Sequence, residues 1–256
     1  MDTYTSLAVL GCIYAGSSIF SGLSGFGFAA IGSLSLLILP PAIGVPLLMA
    51  LSLTTQTASL VSLRKELLKQ SQVMKSHLLP LFVGGAIGVP CGLQLLTYLD
   101  ATQLLIGLGI LLISYAAHSI WNSRQIALKG QKNTFWQAVG VGATGGLIGG
   151  FSAFPGAALV VWNGLRGAGK EEGRALTQPY ILFMQIIGLA FLYINRPSTF
   201  TSDFWLILLI ATPLVLLGNC FGVSIYRRTG DLGYRKVTLI ALGLSGLGLI
   251  GKTVFI

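Results

Sequence analysis

The chain has 256 residues, 54% of them hydrophobic and only 9% charged, with a mean hydropathy of +0.81. That is too little charge to cover a soluble domain of this length, so a water-soluble enzyme or binding module is excluded. The formal net charge of +9 then reads as membrane topology, because basic residues gather in cytoplasmic loops, and no nucleic-acid partner is expected.

Residues 3–63 contain no Asp, Glu, Lys or Arg. About 20 apolar residues cross a bilayer core, so this stretch is embedded in the membrane. Its start, MDTYTS, has no basic residue ahead of the apolar run, unlike a cleavable signal peptide. It divides into a Gly-rich segment, 3–39, and a span, 44–63. Spans at 77–98 and 101–121 follow. A second Gly-rich segment, 133–163, precedes spans at 175–194, 204–226 and 237–256. The fold expected is an all-α polytopic membrane protein of about eight hydrophobic helical segments. It forms one integral membrane domain, with a first repeat at 1–122, a cytoplasmic linker at 123–134 and a second repeat at 135–256. Cys12, Cys91 and Cys220 stand singly in apolar segments and are expected as buried small hydrophobes, without disulfide or metal.

The two repeats are related at an offset of about 129 residues. SGFGFA at 24–29 aligns with SAFPGA at 152–157, Gln56 with Gln185, and Gly88 and Gly92 with Gly218 and Gly222. Such duplications are common in transporters. If each Gly-rich segment crosses the membrane, the halves run parallel and the basic residues split nearly evenly between the two sides. If each dips in and returns, the halves are inverted, and the loops at 64–75, 122–134, 163–174 and 226–236 share one side. That side then holds fourteen of the sixteen Lys and Arg, with Arg196 and Lys252 opposite. The positive-inside rule prefers the inverted arrangement, with both termini outside and two half-helices of about 15 residues in each Gly-rich segment.

Irregular backbone in hydrocarbon costs several kcal/mol per unpaired group. Breaks are therefore expected at Gly22–Gly27 and Gly149–Gly156, the latter helped by Pro155, where they line a cavity near the midplane. Other glycines, such as Gly84, Gly85, Gly88 and Gly92, fit close helix packing. The N-terminal end of each returning leg offers free N–H groups and partial positive charge, an anion site. Ser24 and Ser152 add hydroxyl donors there. Arg174, Gln178, Ile181 and Gln185 share one helical face, and Ser52, Gln56 and Ser59 form a corresponding stripe; interhelical hydrogen bonding is the structural alternative for these polar residues. Arg174 lies at the cytoplasmic mouth of its span, placed either to attract an anion or to snorkel as a topology determinant.

The seven acidic residues, Asp2, Glu66, Asp100, Glu171, Glu172, Asp203 and Asp231, all fall in loops or at span ends, and His77 and His118 sit near cytoplasmic ends. Cation transport and proton relay through a buried carboxylate therefore lack their residue. A membrane-embedded enzyme lacks a catalytic set, so the protein is not expected to be an enzyme, and no cofactor or metal is expected.

SGLSGFGFAAIGSLSLLILPPAIGVPLLMALS in the first half and GGLIGGFSAFPGAALVVW followed by EEGRALTQPYILFMQ in the second resemble the paired motifs of the TauE/SafE sulfite exporters over nearly the whole chain. The resemblance implies export of sulfite or small organosulfonates across the bacterial inner membrane. It carries over Gly25, Phe26, Gly27, Pro155, Gly156 and Arg174. Two departures are Ala153, where the family has glycine, and Ala157, where it often has a second proline. The reading is an exporter of a small oxyanion, held between the breaks by Ser24, Gly25, Phe26, Gly27, Gln56, Ser152, Phe154, Gly156, Arg174, Gln178 and Gln185. Phe26 and Phe154 close the cavity from either side. The alternative is a permease or channel-like pathway for another small anion or a neutral solute. The partners expected are the small anion, the lipid bilayer and, as a candidate assembly, a second copy in a homodimer.

Overall fold

The computed structural model describes residues 3–98, 101–121 and 135–255; the expected linker at 123–134 lies outside them. The described residues form helices joined by short turns, with no strand among them. The first half contains α1 (Thr3–Ser24), α2 (Phe28–Gly32), a 3-10 turn (Ser33–Leu37), α3 (Pro41–Ser62), α4 (Arg64–Leu68), α5 (Ser71–Tyr98) and α6 (Ala101–Trp121). The second contains α7 (Phe135–Ser152), α8 (Gly156–Arg166), α9 (Lys170–Asn195), α10 (Ser202–Arg228) and α11 (Asp231–Phe255). By length and composition, α1, α3, α5, α9 and α10 are each able to cross a membrane. The protein is an all-α polytopic membrane protein.

The helix ends follow from local chemistry. Gly25 and Gly27, at φ +84° and +87°, stop α1 in the left-handed region that glycine tolerates. Pro41 opens α3 at a position where its missing N–H costs nothing. Gly167, also left-handed, closes α8. The legs of the two broken segments differ from the expected pairs of half-helices. The first has 22 residues, then a five-residue helix and a five-residue 3-10 turn; the second has 18 and then 11. Gly32, Ser33 and Ser35 weaken the α form in the first return, and Pro40 and Pro41 end it.

Contacts between the halves fix their relative direction. Gly109 of α6 meets Gly246 and Ile250 of α11, whereas Ala116 meets Gly243, so these helices run antiparallel. Met49 of α3 touches Gly188 of α9, and Ser52 accepts from Gln185 Nε2 at 3.4 Å, so this pair is antiparallel too. Both pairs are repeat-related, and a duplication with parallel halves would set them parallel. The halves are therefore inverted. The same relation matches α1 beside α10 to α7 beside α5, each pair running parallel.

Glycine makes those two parallel pairs close. A Cβ at Gly84, Gly88 or Gly92 of α5 would overlap the carbonyl oxygens of Val139, Ala143 or Leu147 of α7. Gly142, Gly146 and Gly150 return the contact to Leu81, Gly85 and Val89. On α10, Gly218 and Gly222 press against Ser18 and Ile19 of α1. The four-residue spacing keeps one face of each helix bare, so backbones meet without side chains between them.

The core lies between the two breaks, where Phe26, Ala29, Met49, Phe154, Ala157 and Ile181 pack together. Trp205, Leu209, Leu217 and Phe221 of α10 point outward, as a lipid-facing surface requires. Cys12, Cys91 and Cys220 are also outward, which corrects the expectation that they are buried; lipid is as apolar as a core and takes a small hydrophobe equally well. One end of the bundle gathers the basic loops. There Arg227 donates to Ser62 O at 2.6 Å and pairs with Glu66 at 3.2 Å, Lys170 donates to Thr229 O at 2.7 Å, and Arg166 pairs with Glu172 at 2.8 Å.

Candidate functional site

The two breaks share one local construction. The Ser24 hydroxyl lies within hydrogen-bond distance of Phe20 O (2.8 Å) and Phe26 O (2.6 Å), and its oxygen accepts from Phe26 N–H at 3.3 Å. The Ser152 hydroxyl donates to Ile148 O at 2.6 Å, and its oxygen accepts from Phe154 N–H at 3.3 Å. Gly25 and Ala153 each close the preceding helix and then turn left-handed, Ala153 at φ +58°. For an L-residue that conformation costs about 1–2 kcal/mol, so the turn is held by its surroundings. Both serine hydroxyl hydrogens thus serve backbone carbonyls and build the turns, instead of standing free as donors. The helical bonding also continues further than expected: Gly22 and Gly149 are helical, and the breaks narrow to 25–27 and 153–155.

Phe26 and Phe154 are stacked, with ring centroids 6.1 Å apart and planes at 17°. They are repeat-related, so their contact lies on the pseudo-two-fold axis. Where one ring on either side of a cavity was expected, the two form a single buried plug between the breaks. Gly156 opens α8 against Ile181, whose side chain stands where a Cβ would be, and a Cβ there would also lie 3.5 Å from Phe26 Cβ. No side chain caps the N-terminal end of either returning leg, at Gly27 or at Pro155.

The predicted face of α9 addresses both breaks. Gln185 Nε2 donates to Ala153 O at 3.2 Å as well as to Ser52 Oγ. Gln178 is wholly buried and neither polar atom of its carboxamide has a partner; the same holds for Gln56 Oε1. Arg174 is also wholly buried. It lies at the expected end of its span, yet its guanidinium donates inward, to Leu23 O at 3.4 Å, Ser21 O at 3.5 Å and Gly22 O. Tyr234 donates to Ser24 O at 2.8 Å. The carbonyls of Gly22, Leu23 and Ser24 at the end of α1, beyond the reach of helical N–H groups, are therefore addressed from the second half, as is Ser21 O, which also accepts from Gly25 N–H at 2.7 Å. A cation also suits the negative end of the helix dipole. The guanidinium carbon sits 4.0 Å from the centroid of the Tyr226 ring, a cation–π contact, and Arg174 Nε keeps no partner.

Several residues in this neighbourhood were not foreseen. Tyr226, Tyr234, Asn163 and Asn219 belong to none of the motifs or helical stripes singled out in the sequence. Asn163 Nδ2 donates to Gly173 O at 3.3 Å and to Thr177 Oγ1 at 3.1 Å, and Ser59 donates to Asn219 Oδ1 at 2.9 Å. On the basic face, a cavity of about 300 Å³ opens between α8, α9 and α11, lined among others by Asn163, Lys170, Thr177, Asp231, Tyr234 and Thr238.

No curated protein and no solved structure matches this chain. A family model does, over nearly the whole length: that of the sulfite exporter TauE/SafE matches residues 8–249, a span that includes both breaks, the α9 face and the aromatic plug. The chain belongs to the TauE/SafE sulfite exporter family.

Proposed function

We propose that this protein exports a small oxyanion, sulfite or an organosulfonate, through a site between the two breaks. The observation that carries the reading is the meeting of two repeat-related backbone breaks at the Phe26–Phe154 stack, next to a face of α9 with unused buried polar groups. The uncapped start of α8 supplies N–H groups and the positive end of a helix dipole. Gln178, Gln56 and Gln185 supply carboxamides. Arg174 supplies charge from behind the first break. As the end of α1 withdraws, the guanidinium donors now spent on carbonyls become free for the anion. Rocking of the inverted halves would part the phenylalanine stack toward one side at a time.

The basic face is then cytoplasmic by the positive-inside rule, and the termini lie outside the bacterial inner membrane. An inside-negative potential drives an anion outward without another energy source.

The test is flux of radiolabelled sulfite in proteoliposomes at imposed potentials of either sign, for wild type and Gln178→Leu. Leucine in place of an unpartnered buried carboxamide spares the fold a desolvation penalty, so lost flux would not be lost folding. Flux that follows the potential and falls about tenfold or more in the variant, on the scale of an anion's charge-assisted hydrogen bond, supports the site. Unchanged flux in Gln178→Leu refutes its role. No sulfite or organosulfonate flux in wild type refutes the substrate class.

A further inference from the structure

The cavity on the basic face is not part of the site between the breaks, yet it abuts it. We infer that this cavity is a second, cytoplasm-side binding site for the transported class, a small singly charged oxyanion, and that Tyr234 is the door between it and the first break. The inference rests on the function proposed above.

The cavity has a volume of about 300 Å³, the lower end of small-molecule pockets. Of the charged groups on and around it, Arg174 behind the wall is wholly buried, Lys170 on the wall is half-buried and Asp231 is exposed. Lys170 Nζ spends one of three donors on Thr229 O, at 2.7 Å, and stands 5.0 Å from the Tyr226 ring centroid. The guanidinium of Arg174 lies against the same ring. Among the described residues neither cation forms an ion pair with a carboxylate, whereas Arg166 and Arg227 do. Asp231 is exposed and accepts from the Lys170 backbone N–H at 3.3 Å, and Glu171 is half-buried in the first turn of α9. Water and salt screen those carboxylates far more than they screen the buried guanidinium. The field within the cavity therefore favours an anion.

Its polar wall is also unfinished. Asn163 is 94% buried, with 6% exposure. Its amide nitrogen is fixed by Gly173 O, which can only accept, so the partnerless atom is Oδ1. That atom accepts the hydroxyl hydrogen or the hydration water an oxyanion brings with it. Tyr234 of α11 also lines the cavity, and its hydroxyl donates to Ser24 O at 2.8 Å. An anion passing from the cavity to the end of α1 has to displace that side chain.

The experiment uses the full-length protein in inside-out and right-side-out vesicles, with Cys12, Cys91 and Cys220 replaced by alanine. Thr238→Cys reports on the cavity and Ser24→Cys on the far side of Tyr234. Two membrane-impermeant methanethiosulfonates serve as probes, one bearing a sulfonate and one a trimethylammonium. At Thr238→Cys we expect labelling from the cytoplasmic side, with the anionic reagent faster by about tenfold. In Lys170→Gln that preference falls to roughly twofold, and methanesulfonate slows labelling. Ser24→Cys reacts slowly until Tyr234→Ala is added, and then about tenfold faster. Equal rates for the two reagents, or a preference indifferent to Lys170→Gln, overturn the site. A Ser24→Cys that reacts equally with Tyr234 present overturns the door. None of these readouts requires flux. Absent sulfite flux with selective labelling intact therefore refutes the proposed function alone, whereas lost selectivity with flux intact refutes the vestibule alone.

Discussion

Replacing Gly88 by alanine tests the packing on which the inverted architecture depends. An added Cβ would overlap Ala143 O and lie 2.8 Å from Leu147 N, both of them backbone atoms of α7 that cannot rotate away. Ordinary contact begins near 3.4 Å, so the two helices have to part by roughly 1 Å, enough to forfeit a quarter to a half of the dispersion attraction at each atom pair affected. Overpacking of this kind costs about 1–3 kcal/mol, and each weak Cα–H···O hydrogen bond broken along the seam adds about 0.5–1 kcal/mol. The expected destabilisation is about 2–4 kcal/mol, or a melting point lower by roughly 5–10 °C for a chain of this size. Gly140→Ala is the internal control, because on the same helix α7 nothing lies within 4 Å of its added Cβ. It should be neutral, or stabilised by up to about 1 kcal/mol through helix propensity. Thermal melts of the purified protein, followed by loss of the monodisperse peak on size exclusion, give the comparison. If Gly88→Ala melts with Gly140→Ala, the account of this seam is wrong.

Ala153→Gly should raise the melting point. The left-handed turn penalises alanine by about 1–2 kcal/mol, and the extra freedom of an unfolded glycine returns about 0.5–1 kcal/mol of that. Ala153→Val should lower it, and the opposite order of the two variants contradicts the strain. Arg174→Gln should destabilise by about 2–4 kcal/mol by leaving carbonyls at the end of α1 without donors. Arg174→Lys should fall between it and wild type, since an ammonium keeps the charge but not the planar fork. A wild-type melting point for Arg174→Gln would mean that the guanidinium does not hold the end of α1.

Membrane character, inversion of the halves and the position of the breaks were legible in the sequence, because hydrocarbon admits few structures and charge follows topology. The α9 face was legible for the same reason that any helical stripe is: Arg174, Gln178, Ile181 and Gln185 recur with its period. The limits of the breaks were not. Glycine is used here for two purposes that look identical in a sequence, a left-handed turn at Gly25 and close approach at Gly22, where an added Cβ would meet Asn219 O at 2.5 Å. Whether a glycine turns or packs depends on a neighbour some two hundred residues away. Arg174 was ambiguous in the same way. Its reach into the carbonyls of Ser21, Gly22 and Leu23 is a tertiary fact, as is the part of Tyr226 and Tyr234 beside it. Asn163 carried no periodic signal, since its partners Gly173 and Thr177 lie across a turn.

The close seams of this molecule join α1 to α10 and α5 to α7, always a helix of one half to a helix of the other. A nascent first half therefore enters the membrane with its glycine faces bare, and no helix of its own to cover them. At ribosomal speeds of about 5–20 residues per second, the partners of α1 arrive on the order of ten seconds or more after it. During that wait the cheapest cover is another first half inserted upside down. The same logic describes how a single ancestral repeat could have lived before it was joined to its copy, as two chains of opposite orientation in one bilayer.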